Sequence, residues 1–328
     1  MIRKRSLILV TLLYLCLVWA LPGAAAMETY TLEKTVDVDF GTIWCVPVYD
    51  GQDLVVSTEY DGYIYLGRYD QDLARQGEAV RVVESGDLPA GEHVADHKHI
   101  FQNDYHYITF SISGEGSGGN LYLLKLDRDF NRVNLITVVE DDAPTNDMLL
   151  VGDGEYIYVG KFMPGRGHRI YKYDADLNLQ GTYEIGGGPF QHSNGAVALY
   201  HDEHFYLVAP ATLAPGENDQ FYLLVFDRDW LPSQDRRTIL EDEGMLSLVT
   251  ALYYRDGVGN FVIHYARMSD DQGGPIYRAV YDQDWNLLEN VLVLEGAYNR
   301  PHAVVVDDHL FLGYDGDRLG LSRFSISR

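Results

Sequence analysis

Tyr69-Asp70-Gln71-Asp72-Leu73 is the first of five copies of one short phrase: an apolar residue, Asp, any residue, Asp, and a second apolar residue. The others are Leu126-Asp127-Arg128-Asp129-Phe130, Tyr173-Asp174-Ala175-Asp176-Leu177, Phe226-Asp227-Arg228-Asp229-Trp230 and Tyr281-Asp282-Gln283-Asp284-Trp285. Counted between their first Asp residues, the copies lie 57, 47, 53 and 55 residues apart. A repeat of this length marks a solenoid, propeller or array, in which each unit buries its apolar face only against its neighbours.

Working outward from each copy gives the same unit. A mostly apolar stretch, such as 196–199 or 303–306, leads to a tight turn at Asp50-Gly51, Asp153-Gly154, Asp256-Gly257 or Asp307-Asp308. An aromatic, alternating segment follows, as in Tyr156-Ile157-Tyr158-Val159 and His204-Phe205-Tyr206-Leu207. A third segment ends in the Asp-x-Asp phrase, and a fourth runs outward, for example 290–294. Aromatic and β-branched runs punctuated by Asp and Gly are the mark of strands and hairpins, and no 3.6-residue period competes with them. Four antiparallel strands per unit is the blade of a β-propeller. Residues 300–328 supply only three strands and reach Phe324-Ser325 where the turn phrase would stand, while 29–38 is a lone strand before the first unit. The expected fold is therefore all-β: one domain over 27–328, a six-bladed β-propeller of four-stranded antiparallel blades, closed by pairing the N- and C-terminal strands so that no sheet edge stays open.

This repeat shape resembles the exported six-bladed propellers as a superfamily, over all of 27–328. Asp153-Gly154-Glu155-Tyr156-Ile157-Tyr158 also resembles the inner strands of propeller-type glycoside hydrolases. The resemblance rests on repeat shape rather than a diagnostic motif, and fold likeness carries little about function.

The first 26 residues read as a secretory signal. Arg3, Lys4 and Arg5 precede an apolar run over 7–21, and Ala24 and Ala26 fit an Ala-x-Ala cleavage site, with the cut after Ala26. An uncleaved anchor is the rival reading, but the run is short against the roughly 20 residues of a span. The expected address is secreted or extracytoplasmic, in the cell envelope. Of two cysteines, Cys16 lies in the signal and Cys45 stands alone, so no intrachain disulfide forms. No Asn-x-Ser/Thr sequon occurs. Removing residues 1–26 takes away three cations and no acid, so the formal charge falls from −24 to −27. Only Lys34, Lys98, Lys125, Lys161 and Lys172 remain as lysines. Such a field repels nucleic acid and anionic lipid. It suits either a surface kept soluble, as at high salt, or cation binding at several places. Partners are then a small molecule, a glycan or an envelope protein, with no membrane contact beyond the signal and a monomeric state.

Three chemistries can be weighed. In the turn phrase, Asp127, Asp129 and Asn131 occupy the first, third and fifth places of a calcium loop, as do Asp174, Asp176, Asn178 and Asp282, Asp284, Asn286. The sixth place, where calcium loops need Gly, holds Arg132, Leu179 or Leu287. Asp and Asn also build turns through side-chain to backbone bonds, so structural turns are expected. Trp230 and Trp285 read as blade-packing residues.

Second, the starts of the innermost strands gather polar groups where apolar ones are usual: Trp44 and Cys45, Asp96, His97 and His99, Asn146 and Asp147, His192, Ser193 and Asn194, Thr250, and Asn299, Arg300 and His302. They are expected to meet at the axial face as a polar, water-filled funnel. Its ligand-binding set is Trp44, His97, Asp147, His192, Asn194, Arg300 and His302. Arg300 would grip a carboxylate, and Trp44 or Phe190 would stack on a sugar. A metal held by His97, His192 and His302 is disfavoured, because His192 falls about three residues early in the alignment and Lys98 separates His97 from His99. No metal and no cofactor is assigned.

Third, a carbohydrate-active hydrolase or lyase would need two carboxyl groups across the funnel, drawn from Asp96, Asp147 and Glu241 or Glu243. No Gly-x-Ser-x-Gly occurs, Gly186-Gly187-Gly188-Pro189 opens no helix, and Cys45 suits packing. The main expectation is a binding or recognition protein with its ligand unknown. The alternatives are that hydrolase and an envelope scaffold.

Overall fold

The structure, a computed structural model, describes residues 28–113, 120–139, 148–163, 167–185, 196–211, 219–242, 245–268 and 273–327. The expected signal over 1–26 lies outside the described residues. Apart from one 3-10 turn at Ser85–Asp87, the regular structure of the described residues is strand. The strands are β1 (Thr29–Asp37), β2 (Ile43–Tyr49), β3 (Leu54–Tyr60), β4 (Tyr63–Tyr69), β5 (Arg75–Arg81), β6 (His93–Gln102), β7 (Tyr105–Ser113), β8 (Leu121–Leu126) and β9 (Arg132–Val139). Next come β10 (Met148–Gly152), β11 (Ile157–Met163), β12 (Gly167–Tyr173), β13 (Leu179–Ile185), β14 (Val197–His201), β15 (His204–Ala211), β16 (Asp219–Phe226) and β17 (Arg237–Asp242). The last are β18 (Met245–Arg255), β19 (Asn260–Met268), β20 (Gly274–Tyr281), β21 (Leu287–Val306), β22 (His309–Asp315) and β23 (Gly320–Ser327).

Strands β2–β5, β6–β9, β10–β13 and β14–β17 make four antiparallel sheets of four, each in chain order. The rest form a seven-stranded sheet, β1-β23-β22-β21-β20-β19-β18. Its 20-residue β21 does double duty. Residues from Leu287 to Tyr298 pair with β20, and those from Asn299 to Val306 pair with β22. The N-terminal β1 closes on the C-terminal β23, from Thr29↔Ser327 to Asp37↔Gly320.

Burial falls from the inside of each sheet outward. In the first, β3 is almost wholly buried, β4 alternates, and β5 is largely exposed. The exposed pattern of β1 matches an outer strand. The core is divided into clusters between neighbouring sheets rather than gathered at one centre. Val55, Ile64, Ile108 and Phe110 join the first sheet to the second, for example, and Leu54, Val56, Phe311 and Leu321 join the last strands back to the first sheet. Where these meet, Gly313 is required: a Cβ there would stand 2.2 Å from the Cys45 carbonyl oxygen.

The Asp-x-Asp phrases are turns with a fixed design. One oxygen of the first Asp accepts two backbone N–H groups, two and four residues on, at 2.8–2.9 Å in all five copies. The Asn at the fifth place donates its side-chain amide to that carboxylate in three of them. The closing apolar residue then takes a left-handed conformation: Leu73, Phe130, Leu177, Trp230 and Trp285 have φ between 56° and 67°. Each is buried. The preceding sheet clamps several of these turns. Arg68 donates to the Arg128 carbonyl, Lys125 to that of Ala175, and Arg323 to that of Gln71.

These carboxylates are occupied by their own backbone, so calcium added to chelator-treated protein is expected to leave the melting temperature within about a degree. Saturable stabilisation at micromolar calcium, rising by mass action as a native-state ligand does, would make the turns ion sites.

Candidate functional site at the axial cavity

Six strand segments run side by side around one cavity: β2, β6, β10, β14, β18 and the second half of β21, which returns to β2. Its volume is about 300 Å³. Among the described residues most of the wall is aliphatic, with Val46, Val48, Ile100, Met148 and Leu150 among the contributors, and the polar side chains are those of Lys98, His99, His302 and Tyr49.

Four of the six inner segments carry a register break close to their start, where the sequence places polar residues. The breaks lie between Ile43 and Val46, Val94 and Asp96, Val249 and Ala251, and Asn299 and His302. An extra residue in one strand twists it and re-aims the neighbouring side chains, which is why such bulges accompany binding sites. Trp44 and Arg300 sit in two of these breaks with φ of 62° and 51°. Non-glycine residues pay strain for that conformation, and such strain collects at functional sites.

The two bulges bring Trp44, Arg300 and His302 together. The Arg300 guanidinium lies 4.1 Å from the Trp44 ring centroid, and the Lys98 ammonium 5.1 Å from it. His302 meets the same indole edge-on at 6.3 Å. Arg300 also binds Asp315, at the end of β22, at 3.0 Å. Burial pushes the Asp315 carboxyl up, against the pull of Arg300. Burial, then the positive charges nearby, hold the His302 imidazole well below its ordinary range, so it is neutral at pH 7, and among the described residues its Nε2 has no partner.

Of the residues expected to bind ligand, Trp44, His97, Arg300 and His302 lie in this neighbourhood. Two of their expected roles change. Trp44 is 6 % exposed with its ring packed against Arg300, so it offers no open face to a sugar. His97 does not line the cavity: it is fully buried, bonded to Ser57 Oγ at 2.9 Å, with a pKa lowered to about 3 by burial and then by Lys98. His99 pairs with His106 at 3.0 Å instead of sharing a ligand with His97. Asp147, His192 and Asn194 lie outside the described residues, as do Asn146, Glu243, Phe190, Ser193 and the 186–189 segment. Glu241 belongs to the outer strand β17, paired opposite Gln220, and so stands away from the cavity. Asp96 is buried at the start of β6. Burial pushes the Cys45 thiol up, and the residue is packed in the core as expected.

Lys98 and Asp315 were not in the expected set. Lys98 had a signal, the scarcity of lysine in this chain. Asp315 had none, because it reaches the cluster from the far end of a second strand. Among the described residues, no group of three or more His, Cys, Asp or Glu is placed to hold a metal ion. No described helix is long and apolar enough to cross a membrane.

No protein-family model matches the chain. No curated protein matches it by sequence either. Solved structures do. The glycoside hydrolase family 43 (GH43) β-1,3-galactosidase solved with galactodeoxynojirimycin aligns at TM-score 0.53 and 12% identity, over 82% of this chain and 99% of that one. A bifunctional GH43-CE protein of Bacteroides eggerthii aligns at 0.50 and 11%, over 81% of this chain and 36% of that one. The Dos1 propeller aligns at 0.47 and 12%, over 85% of this chain and 67% of that one. At such identities the likeness speaks for architecture and not for chemistry: the chain folds as a β-propeller.

Proposed function

We propose that this chain is an exported, monomeric six-bladed propeller that binds a small polar ligand where the axial cavity opens beside Trp44, Arg300 and His302. Counting six blades treats the seven-stranded sheet as two four-stranded blades that share β21. The clamp from Arg323 to the Gln71 carbonyl supports this, since it repeats between the last and first units what Arg68 and Lys125 do between earlier ones. Export rests on the basic, apolar and Ala-x-Ala pattern of 1–26.

The observation that carries the binding reading is His302. It lines the cavity, yet its Nε2 is buried without a partner among the described residues. An unpaired buried polar atom costs about 1–3 kcal/mol, and a ligand would relieve that cost. Asp147, His192 and Asn194, which the sequence puts at the starts of other blades, are its further proposed contacts, while His97 is bonded to Ser57 and stands outside the set. In a thermal-shift screen of glycans, metals and small molecules, hits on the mature protein should lose most of their stabilisation in His302→Ala. Hits that stabilise His302→Ala equally would place binding elsewhere.

A second reading, a carbohydrate-active hydrolase, is favoured by Asp315. Its carboxyl is buried beside Arg300 and pushed up, as a proton donor's would be. Release of sugar from a polysaccharide panel, lost in Asp315→Asn, would promote that reading.

A further inference from the structure

Lys98 is the one charged side chain among the described residues that line the axial cavity. The chain carries 25 Lys and Arg against 49 Asp and Glu, so a cation here normally finds a carboxylate. Arg68, Arg75, Arg132, Arg255 and Arg278 all do. Lys98 is half-buried, lines the axial cavity, and among the described residues makes no ion pair or hydrogen bond; its contact is with the Trp44 ring. The same indole carries the Arg300 guanidinium, so two cations share one ring. Asp315 balances Arg300 and nothing described balances Lys98. Asp96, two residues before Lys98, is buried and has a partner of its own. His97 is held neutral by burial and Lys98, and His302 by burial and then by nearby positive charges, Lys98 before Arg300.

We infer that the axial site takes an anion: a small carboxylate- or phosphate-bearing molecule whose negative group sits on the Lys98 ammonium, backed by Arg300, with His302 Nε2 as a further hydrogen-bonding partner. This rests on the reading that the axial cavity is the ligand site. The indole then has a different task from a sugar platform. It holds two cations against one ring, at 4.1 and 5.1 Å from its centroid, a contact that strengthens when water is excluded. A cavity of about 300 Å³ lies at the small end of ligand pockets. It suits a single sugar acid or a short di- or tricarboxylate. The acidic exterior repels anions at long range, so selection has to come from this short-range cluster.

Isothermal titration of the mature protein with citrate, D-galacturonate and inorganic phosphate tests the inference, with D-galactose as the neutral counterpart of galacturonate. At least one anion is expected to bind saturably and galactose not, and Lys98→Gln should weaken that anion at least tenfold while melting like the parent without ligand. The pattern among the three anions tells carboxylate from phosphate. If galactose binds as well as galacturonate, and Lys98→Gln changes neither, the anion inference falls. Loss of that same binding in His302→Ala would then still uphold the axial site. An anion bound equally by the parent, Lys98→Gln and His302→Ala would overturn both readings, and no binding by any of the three anions would overturn the inference.

Discussion

A chain spanning residues 39–328, which lacks Met27 to Val38 relative to one spanning 27–328, is expected to lose its cooperative unfolding transition. The segment does three things at once. Strand β1 covers the whole length of β23, which would otherwise present an open edge. Val38 is buried in the cluster that joins the last strands to the first sheet. Glu28 and Tyr30 lie against two buried arginines: Glu28 pairs with Arg255 at 2.8 Å, both nearly buried, and Tyr30 lies 3.8 Å from the Arg278 guanidinium. Removing one partner of a buried ion pair costs about 3–5 kcal/mol. Domain stabilities are about 5–15 kcal/mol in all, so the ion pair, the apolar burial and eight paired positions together exceed the margin of a typical domain. Urea unfolding followed by circular dichroism and tryptophan fluorescence would read the effect. A truncated chain with the parent's midpoint and slope would show that closure through β1 is dispensable. Tyr30→Ala should lower the midpoint without abolishing the transition.

The parts of this fold that were legible in the sequence are those set by local chemistry or by strand bookkeeping. An Asp that accepts N–H groups two and four residues on needs no distant partner, so the turns declared themselves. The closing strand was legible because the last unit lacked one strand and the N terminus had one to spare, and β1 does pair with β23. The site was legible only in outline. Polar residues at strand starts pointed to one end of the cavity, but a bulge breaks the two-residue period of a strand, so which neighbour faces inward cannot be counted off. His97 was expected at the cavity and Lys98 was treated as an obstacle, whereas Lys98 lines the cavity and His97 is buried against Ser57. Glu241 was misplaced for a related reason: the register of β17 against β16 carries the outer strand past it. Asp315 joins the cluster through tertiary structure alone.

Trp285→Ala is expected to destabilise the propeller by about 3–5 kcal/mol, the usual cost of removing a buried tryptophan. Trp285 is 4 % exposed and stacks on Phe261 at 4.5 Å, with Tyr281 at 5.4 Å and Tyr206, from the preceding blade, at 5.9 Å. Its backbone lies in the left-handed region, φ 59°, which costs an L-residue about 1–2 kcal/mol. The turn accepts that cost because the conformation swings the ring into the space between blades and returns the chain to its outer strand. Alanine would keep the strain and lose the ring. Glycine would lose the ring and release the strain. The expected order is therefore parent, then Trp285→Gly, then Trp285→Ala, the reverse of the usual ranking of alanine above glycine in a strand or helix. Urea midpoints of the three proteins at equal slope decide the matter. If Trp285→Ala proves more stable than Trp285→Gly, the left-handed residue is not what fixes these turns. The shared geometry of Leu73, Phe130, Leu177, Trp230 and Trp285 would then need another cause.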